Sequence, residues 1–193
     1  MRKPKITFPE LVAQEVEKYY EMADIILEYG SGGSTYLAAK LDGKVIYSVE
    51  SDASWLCNLG LQIRSSDPRS HPYLYYVDIG NTKEWGHPAD DAKYRNWPNY
   101  SNAIWREEFF EQPDVVLIDG RFRKACFLAT LGNCKKDMVV LFDDYGERKN
   151  YHDVERFVTP VKFIERMAVF EISPGLVDAE AALHCAEWLY NPA

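Results

Sequence analysis

Three aspartates stand where two apolar runs stop: Asp119 after VVLI, and the pair Asp143 and Asp144 after MVVLF. If the runs are neighbouring parallel strands, they end side by side and the three carboxylates converge. Clustered carboxylates repel one another unless a proton or a cation lies between them, and Mg²⁺ or Ca²⁺ takes oxygen ligands of this kind. Asp119, Asp143 and Asp144 are therefore a candidate site for Mg²⁺ or another divalent cation, with Asp119 and Asp144 as the candidate catalytic groups. A cation there would hold a substrate hydroxyl and lower its pKa. An un-ionised acceptor needs a general base in any case, and Asp119, His152 or Lys124 could take the proton. Arg121, two residues past Asp119, is equally able to neutralise a carboxylate and remove the need for a metal.

A second constellation lies nearer the N-terminal end. Residues 25–35 read IILEYGSGGST, a short aliphatic run ending in Glu28 and then a turn of glycine and serine. Gly30, Ser31 and Gly32 leave bare backbone that a ligand can approach closely. The next apolar run, KVIYSVE, closes on Glu50, twenty residues after Gly30, with Ser51 behind it. A carboxylate there accepts hydrogen bonds from both hydroxyls of a ribose. Two details count against a dinucleotide. The third glycine of GxGxxG would fall at Thr35, and Glu28 beside the turn would repel a pyrophosphate drawn to the helix N-terminus. A carboxylate at that place suits a cationic ligand tail. S-adenosylmethionine is a nucleoside with an ammonium, a sulfonium and no phosphate. An NAD(P)-dependent oxidoreductase is the competing reading.

At this point the sequence resembles a known family. EYGSGGS, residues 28–34, is similar to the first motif of the class I (Rossmann-like) S-adenosylmethionine-dependent methyltransferases, an acidic residue followed by alternating glycines, with Ser34 in place of the last glycine. The resemblance runs from about residue 19 to 173. It implies that Glu28, Gly30, Ser31, Gly32, Ser34, Glu50 and Ser51 line the donor site, that Asp78 and Ile79 meet its adenine, and that Asp119 faces the methyl group. It further implies methyl transfer to a small-molecule acceptor, with oxygen favoured because of the aspartates. IDG (118–120) and FDDY (142–145) are similar to motifs of metal-dependent O-methyltransferases of the catechol and macrolide-sugar types. Two departures stand out: Arg121 occupies the place of a second acid, and Phe122 that of a lysine. A catalytically silent binding module of the same family is the third reading.

Elements must exist to position these groups. Helical periodicity runs from Phe8 to Tyr20, placing Leu11, Val12, Val16 and Tyr19 or Tyr20 on one side. The strands read ADIILE, KVIYSVE, PYLYYVDIG, DVVLIDG and DMVVLFDD, with helices at STYLAAKL, at DASWLCNLGLQIR (capped by Asp52) and at RFRKACFLATLG. YHDVERFV predicts a short helix, VKFIERMAVFEIS two strands forming an antiparallel pair, and DAEAALHCAEWLY a closing helix. Alternation of this kind, with apolar runs too continuous for a half-exposed sheet, predicts a doubly wound α/β fold with a mostly parallel sheet. The resemblance supplies seven strands in the order 3-2-1-4-5-7-6. One domain is expected over residues 1–193. An aromatic-rich insertion over 81–113, carrying Trp85, Trp97, Tyr100 and Trp105, would be a lid, a packed cap or a contact between copies in a homo-oligomer.

Composition narrows the partners. The net charge of −8 repels a phosphate backbone, so nucleic acid is not expected. No apolar run reaches membrane-spanning length, and the N-terminus lacks the apolar stretch of a signal peptide. Four cysteines without metal spacing read as reduced thiols in a cytoplasmic protein. Arg121, Arg123 and Arg148 could receive an acidic substrate or be solvated surface charge.

Overall fold

The apolar runs form the strands β1 (Ile25–Tyr29), β2 (Val45–Glu50), β3 (Tyr73–Tyr76), β4 (Val115–Ile118), β5 (Met138–Phe142), β6 (Lys162–Ile164) and β7 (Met167–Ile172). These are the strands of a computed structural model that describes Pro4 and residues 6–193. The sheet order is β3-β2-β1-β4-β5-β7-β6. The first five strands are mutually parallel, while β7 runs antiparallel to both β5 and β6. This is the mostly parallel, doubly wound sheet that the sequence predicts. Because β1 and β4 are neighbours while β2 leaves in the other direction, the strand order reverses beside β1, and the crevice beyond the carboxyl ends opens there.

Strand alternation decides which residues face which layer. Ile26 of β1, with Ile46, Val115, Leu117 and Leu141, packs under α1 (Glu10–Met22), which buries Val12, Val16 and Tyr20. Leu11 is 56% exposed, so the expected apolar side of this helix is one residue narrower than its pattern. Leu27 and Tyr29 face the opposite layer, where α5 (Arg123–Asn133) sits with Phe127, Phe142 and Phe170. Beside α1, the short helix α2 (Gly33–Ala38) follows the glycine turn, and α3 (Ala53–Arg64) packs Leu59 and Ile63 against Leu74. The Asp52 carboxylate caps α3 by accepting from the Trp55 amide, 2.9 Å away.

Three elements differ from their sequence patterns. Strand β3 stops at Tyr76, before Asp78 and Ile79. Residues 149–156 form a 3₁₀ helix rather than an α-helix. The closing helix breaks into α6 (Ala179–His184) and a 3₁₀ turn over Ala186–Tyr190.

Between β3 and β4 the aromatic segment is mostly packed onto the body. It holds 3₁₀ turns at Glu84–Gly86, Tyr94–Asn96 and Ile104–Arg106 and the short helix α4 (Pro98–Asn102). Tyr100 and Ile104 are fully buried, with Trp97, Trp105 and Phe110 against the same core. The Trp105 indole N–H donates to the Tyr29 hydroxyl at 2.6 Å, and that hydroxyl donates to the Ser101 carbonyl at 2.6 Å, which ties the segment to β1. Trp85 stands apart at 77% exposure.

Candidate active site

The glycine turn is built against the loop that follows β4. Gly30 has φ +98°, and a Cβ on it would lie 2.7 Å from the Gly120 Cα. A Cβ on Gly120 would meet the Tyr100 hydroxyl at 2.1 Å. Both positions must therefore be glycine for the two backbones to meet. The Asp119 and Gly120 amides both donate to the Tyr29 carbonyl, at 2.9 and 2.6 Å, and the Gly30 amide donates to the Val49 carbonyl at 2.9 Å. These bonds fix Asp119 beside the turn. Gly30 thus meets another stretch of chain as closely as it was expected to meet a ligand.

Glu28 lies beneath the turn rather than in the cleft. Alternation along β1 points it toward α1, and it is fully buried. One oxygen accepts from the Tyr20 hydroxyl at 2.7 Å; the other accepts from Thr35 at 2.5 Å and Ser48 at 2.9 Å. Burial raises its pKa against those three hydroxyls and Ser34, which all favour the ionised form. The Thr35 hydroxyl in turn accepts the Gly32 amide at 2.9 Å, and Ser48 bonds Ser31 at 2.8 Å. The expectation that Glu28 meets the cation of a ligand is corrected: its lone pairs are spent on hydroxyls that shape the turn.

Glu50 does face the cleft. Its Oε1 accepts from the Ser51 amide at 2.6 Å and the Asp52 amide at 3.0 Å, and its Oε2 accepts from the Ser31 amide at 3.3 Å. Burial raises its pKa, while these amides and the Ser51 hydroxyl pull it down. The amides hold the carboxylate in one orientation and bind β2 to the glycine turn. The cleft around it measures about 940 Å³ and takes in Gly30, Ser31, Gly32, Ser34, Trp55, Trp85 and Asp119. Trp55 is anchored by its indole N–H to the Ser31 carbonyl at 2.8 Å. Ser51 is buried and bonds the Glu50 carboxylate through both its amide and its hydroxyl. Asp78 is not brought to the cleft: the carboxylate forms an ion pair with Lys93 at the surface, and Ile79 is buried in the core. The early end of β3 turns both away.

The three aspartates converge as their strand ends require, with one oxygen from each within 4.8 Å of the others. Guanidinium groups fill the space between them. Arg166 grips Asp143 with two bonds, Nε to Oδ1 at 3.0 Å and Nη2 to Oδ2 at 2.6 Å, and approaches Asp144 at 3.4 Å. Arg123 reaches Asp119 and Asp144, both at 3.2 Å, and donates to the carbonyls of Asp119, Gly120 and Asp143. Arg148 holds Asp144 at 2.8 Å. Three cations already neutralise three carboxylates, and five of the six carboxylate oxygens are engaged. A divalent cation would have to expel guanidiniums to find ligands, so this donor set does not fit one. Asp119 alone keeps an oxygen free, and its pKa is pushed up to about 7, by desolvation first and then by Asp143 and Asp144, against the pull of Arg123.

Of the three candidate bases only Asp119 lines the cleft. Lys124 forms an ion pair with Asp153 at 2.9 Å, and His152 stacks on Tyr145. Arg166 and His87 are the residues that motif reasoning passed over. Arg166 was recoverable from topology, because antiparallel β7 begins beside the end of β5, with Phe142 opposite Ala168. Arg123 carries a different signal: a cation in the first turn of a helix opposes the dipole and needs anions nearby.

An α/β sheet in the order 3-2-1-4-5-7-6, with its cleft beside a glycine turn and a carboxylate closing β2, is the class I methyltransferase architecture. No protein-family model matches the sequence, and no curated protein matches it. Among solved structures, a methyltransferase-like protein from Silicibacter pomeroyi is similar at 41% identity and a TM-score of 0.92, covering 98% of this chain and 99% of its own. The O-methyltransferase TomG from Streptomyces achromogenes, in complex with S-adenosylmethionine, shares the fold at 14% identity and a TM-score of 0.58, over 87% of this chain and 84% of its own. An O-methyltransferase from Bacillus cereus, in complex with S-adenosylhomocysteine, does so at 14% identity and 0.60, over 89% and 84%. The chain belongs to the class I S-adenosylmethionine-dependent methyltransferase family. Among the described residues no helix is long and apolar enough to cross a membrane.

Proposed function

We propose that this protein transfers a methyl group from S-adenosylmethionine to a small-molecule acceptor through an oxygen nucleophile, without a metal. The observation that carries the reading is Glu50, a carboxylate held by three amides at the end of β2 and turned into the cleft beside the glycine turn. Such a group pairs with both hydroxyls of a ribose. Trp55 and the turn backbone form the adjoining wall, and Ser34 carries the cleft toward Asp119. The two O-methyltransferases that share the fold agree with this reading.

The bound donor supplies an electrophilic methyl on a positively charged sulfur. The protein's task is then to hold the acceptor oxygen in line with that carbon and to take its proton. Asp119 is the group for the second task. It lines the cleft, and with a pKa of about 7 it accepts a proton readily in the neutral range. Arg123 fixes its orientation through the carboxylate and the carbonyl of the same residue. The arginine network is the positioning device that a metal provides elsewhere, and it leaves room at the cleft wall formed by Arg148 and Arg166. Methyl transfer assays with tritiated donor across hydroxyl-bearing acceptors, in wild type and Asp119→Asn, test the reading; transfer that survives the substitution unchanged rejects Asp119 as the base.

A further inference from the structure

Four arginines line the cleft, and among the described residues Arg121 is the one without a carboxylate partner. Arg123, Arg148 and Arg166 share Asp119, Asp143 and Asp144 among them. Arg121 also lines the cleft, yet no described carboxylate pairs with it. Its Nη1 meets the Nε2 of His87 at 2.7 Å, and its Nε, though enclosed, has no hydrogen-bond partner. Burial first, and Arg121 itself second, depress the pKa of His87, so the ring facing the guanidinium is neutral. The residue is 6% exposed. A buried guanidinium with an unanswered N–H is costly, and native structures pair such groups.

We propose that Arg121 is the receptor for an oxyanion, a carboxylate or a phosphate ester, carried by the methyl acceptor. The class of acceptor rests on the methyltransferase reading above, whereas the anion site itself does not. The edge of the guanidinium that Nε belongs to is the one that takes two oxygens of a carboxylate or phosphate side by side. Glu50, Asp52 and Glu84 line the same cleft, so an acceptor's anion is drawn to the guanidinium and not to the wall as a whole. The turn over Arg121 has Trp85 and Gly86 both left-handed, at φ +63° and +71°, and a Cβ on Gly86 would stand 3.5 Å from the Glu50 Oε1 and 3.9 Å from the Arg121 Cγ. The acceptor anion reaches the guanidinium from the cleft that Arg121 lines, and His87 keeps Nη1 in place.

The test is calorimetric titration at constant ionic strength of protein saturated with S-adenosylhomocysteine, using inorganic phosphate, malonate and chloride in separate arms. Saturable binding of phosphate or malonate, about tenfold or more tighter than chloride, is the expected result; tenfold corresponds to about 1.4 kcal/mol. Phosphate alone points to a phosphate ester, malonate alone to a carboxylate, and either supports the proposal. Arg121→Gln should lose the site, and Arg121→Lys, which keeps the charge without the fork, should weaken it severalfold. Lys135→Gln, at an exposed position, should leave it unchanged. Equal weak responses to all three salts, or anion binding that persists in Arg121→Gln, overturn the proposal. So does loss of S-adenosylhomocysteine binding in Arg121→Gln with anion binding intact, which would assign the residue to the donor. If wild type binds no S-adenosylhomocysteine, the donor reading falls, and the anion arms repeated on the protein alone still decide the role of Arg121.

Discussion

The Thr35 hydroxyl donates to the buried Glu28 carboxylate at 2.5 Å while accepting the amide of Gly32 at 2.9 Å. One side chain thus ties the floor of the site to its glycine turn. Replacing it with valine leaves a half-buried amide and a buried carboxylate each short of one partner. Thr35→Val should cost roughly 1–3 kcal/mol of stability and weaken donor binding, because the turn loses its tether. Urea denaturation with parallel S-adenosylhomocysteine titration measures both, and a stable variant with normal affinity would show that the turn holds its shape unaided.

The arginine clamp makes a second prediction. Asp143 has no exposed surface and is gripped by Arg166 through two bonds. Arg166→Met strands that carboxylate, a change that costs roughly 3–5 kcal/mol for buried pairs. Denaturation midpoints at neutral pH should fall accordingly, and should recover partly in the double variant Arg166→Met with Asp143→Asn.

The proposed transfer without a metal rests on the same clamp. Chelators should leave methyl transfer unchanged, and Mg²⁺ at millimolar levels should shift neither the melting temperature nor donor affinity. A Mg²⁺-dependent rate would mean that the guanidiniums give way to the ion.

Asp119 ties rate to pH. With a pKa of about 7, its basic form accumulates as pH rises through neutrality, so the rate of transfer should climb with a midpoint near that value. Stability should move the other way. A carboxyl whose folded pKa is raised contributes stability that is fully present below its unfolded value and is lost as pH rises through the folded one. Asp119→Asn should therefore be slow and without that pH dependence, yet more stable than wild type at pH 8, by roughly 1–3 kcal/mol. An unchanged pH–rate profile in the variant would assign the proton to another group.

Much of this was legible before any coordinates. The glycine turn, the carboxylate at the end of β2 and the convergence of three aspartates follow from apolar runs and their end residues, whereas the strand order 3-2-1-4-5-7-6 is what the family resemblance implies. Glu28 was misjudged because position in a motif does not show direction; the alternation of β1, read against the helix bearing Tyr20, would have turned it inward. Asp78 was misplaced because β3 ends three residues before the apolar text YLYYVDI does. The clamp is harder to read because Arg123 opens α5, Arg148 precedes a 3₁₀ helix and Arg166 sits in the turn before β7, far apart in the sequence.

The most direct measurement is calorimetry of S-adenosylhomocysteine with wild type and Glu50→Ala. Saturable binding to wild type, weakened by roughly 1–3 kcal/mol when the charged acceptor of the ribose hydroxyls is removed, is the predicted result. No binding to wild type, or equal affinity in the two proteins, would contradict a donor site built on Glu50.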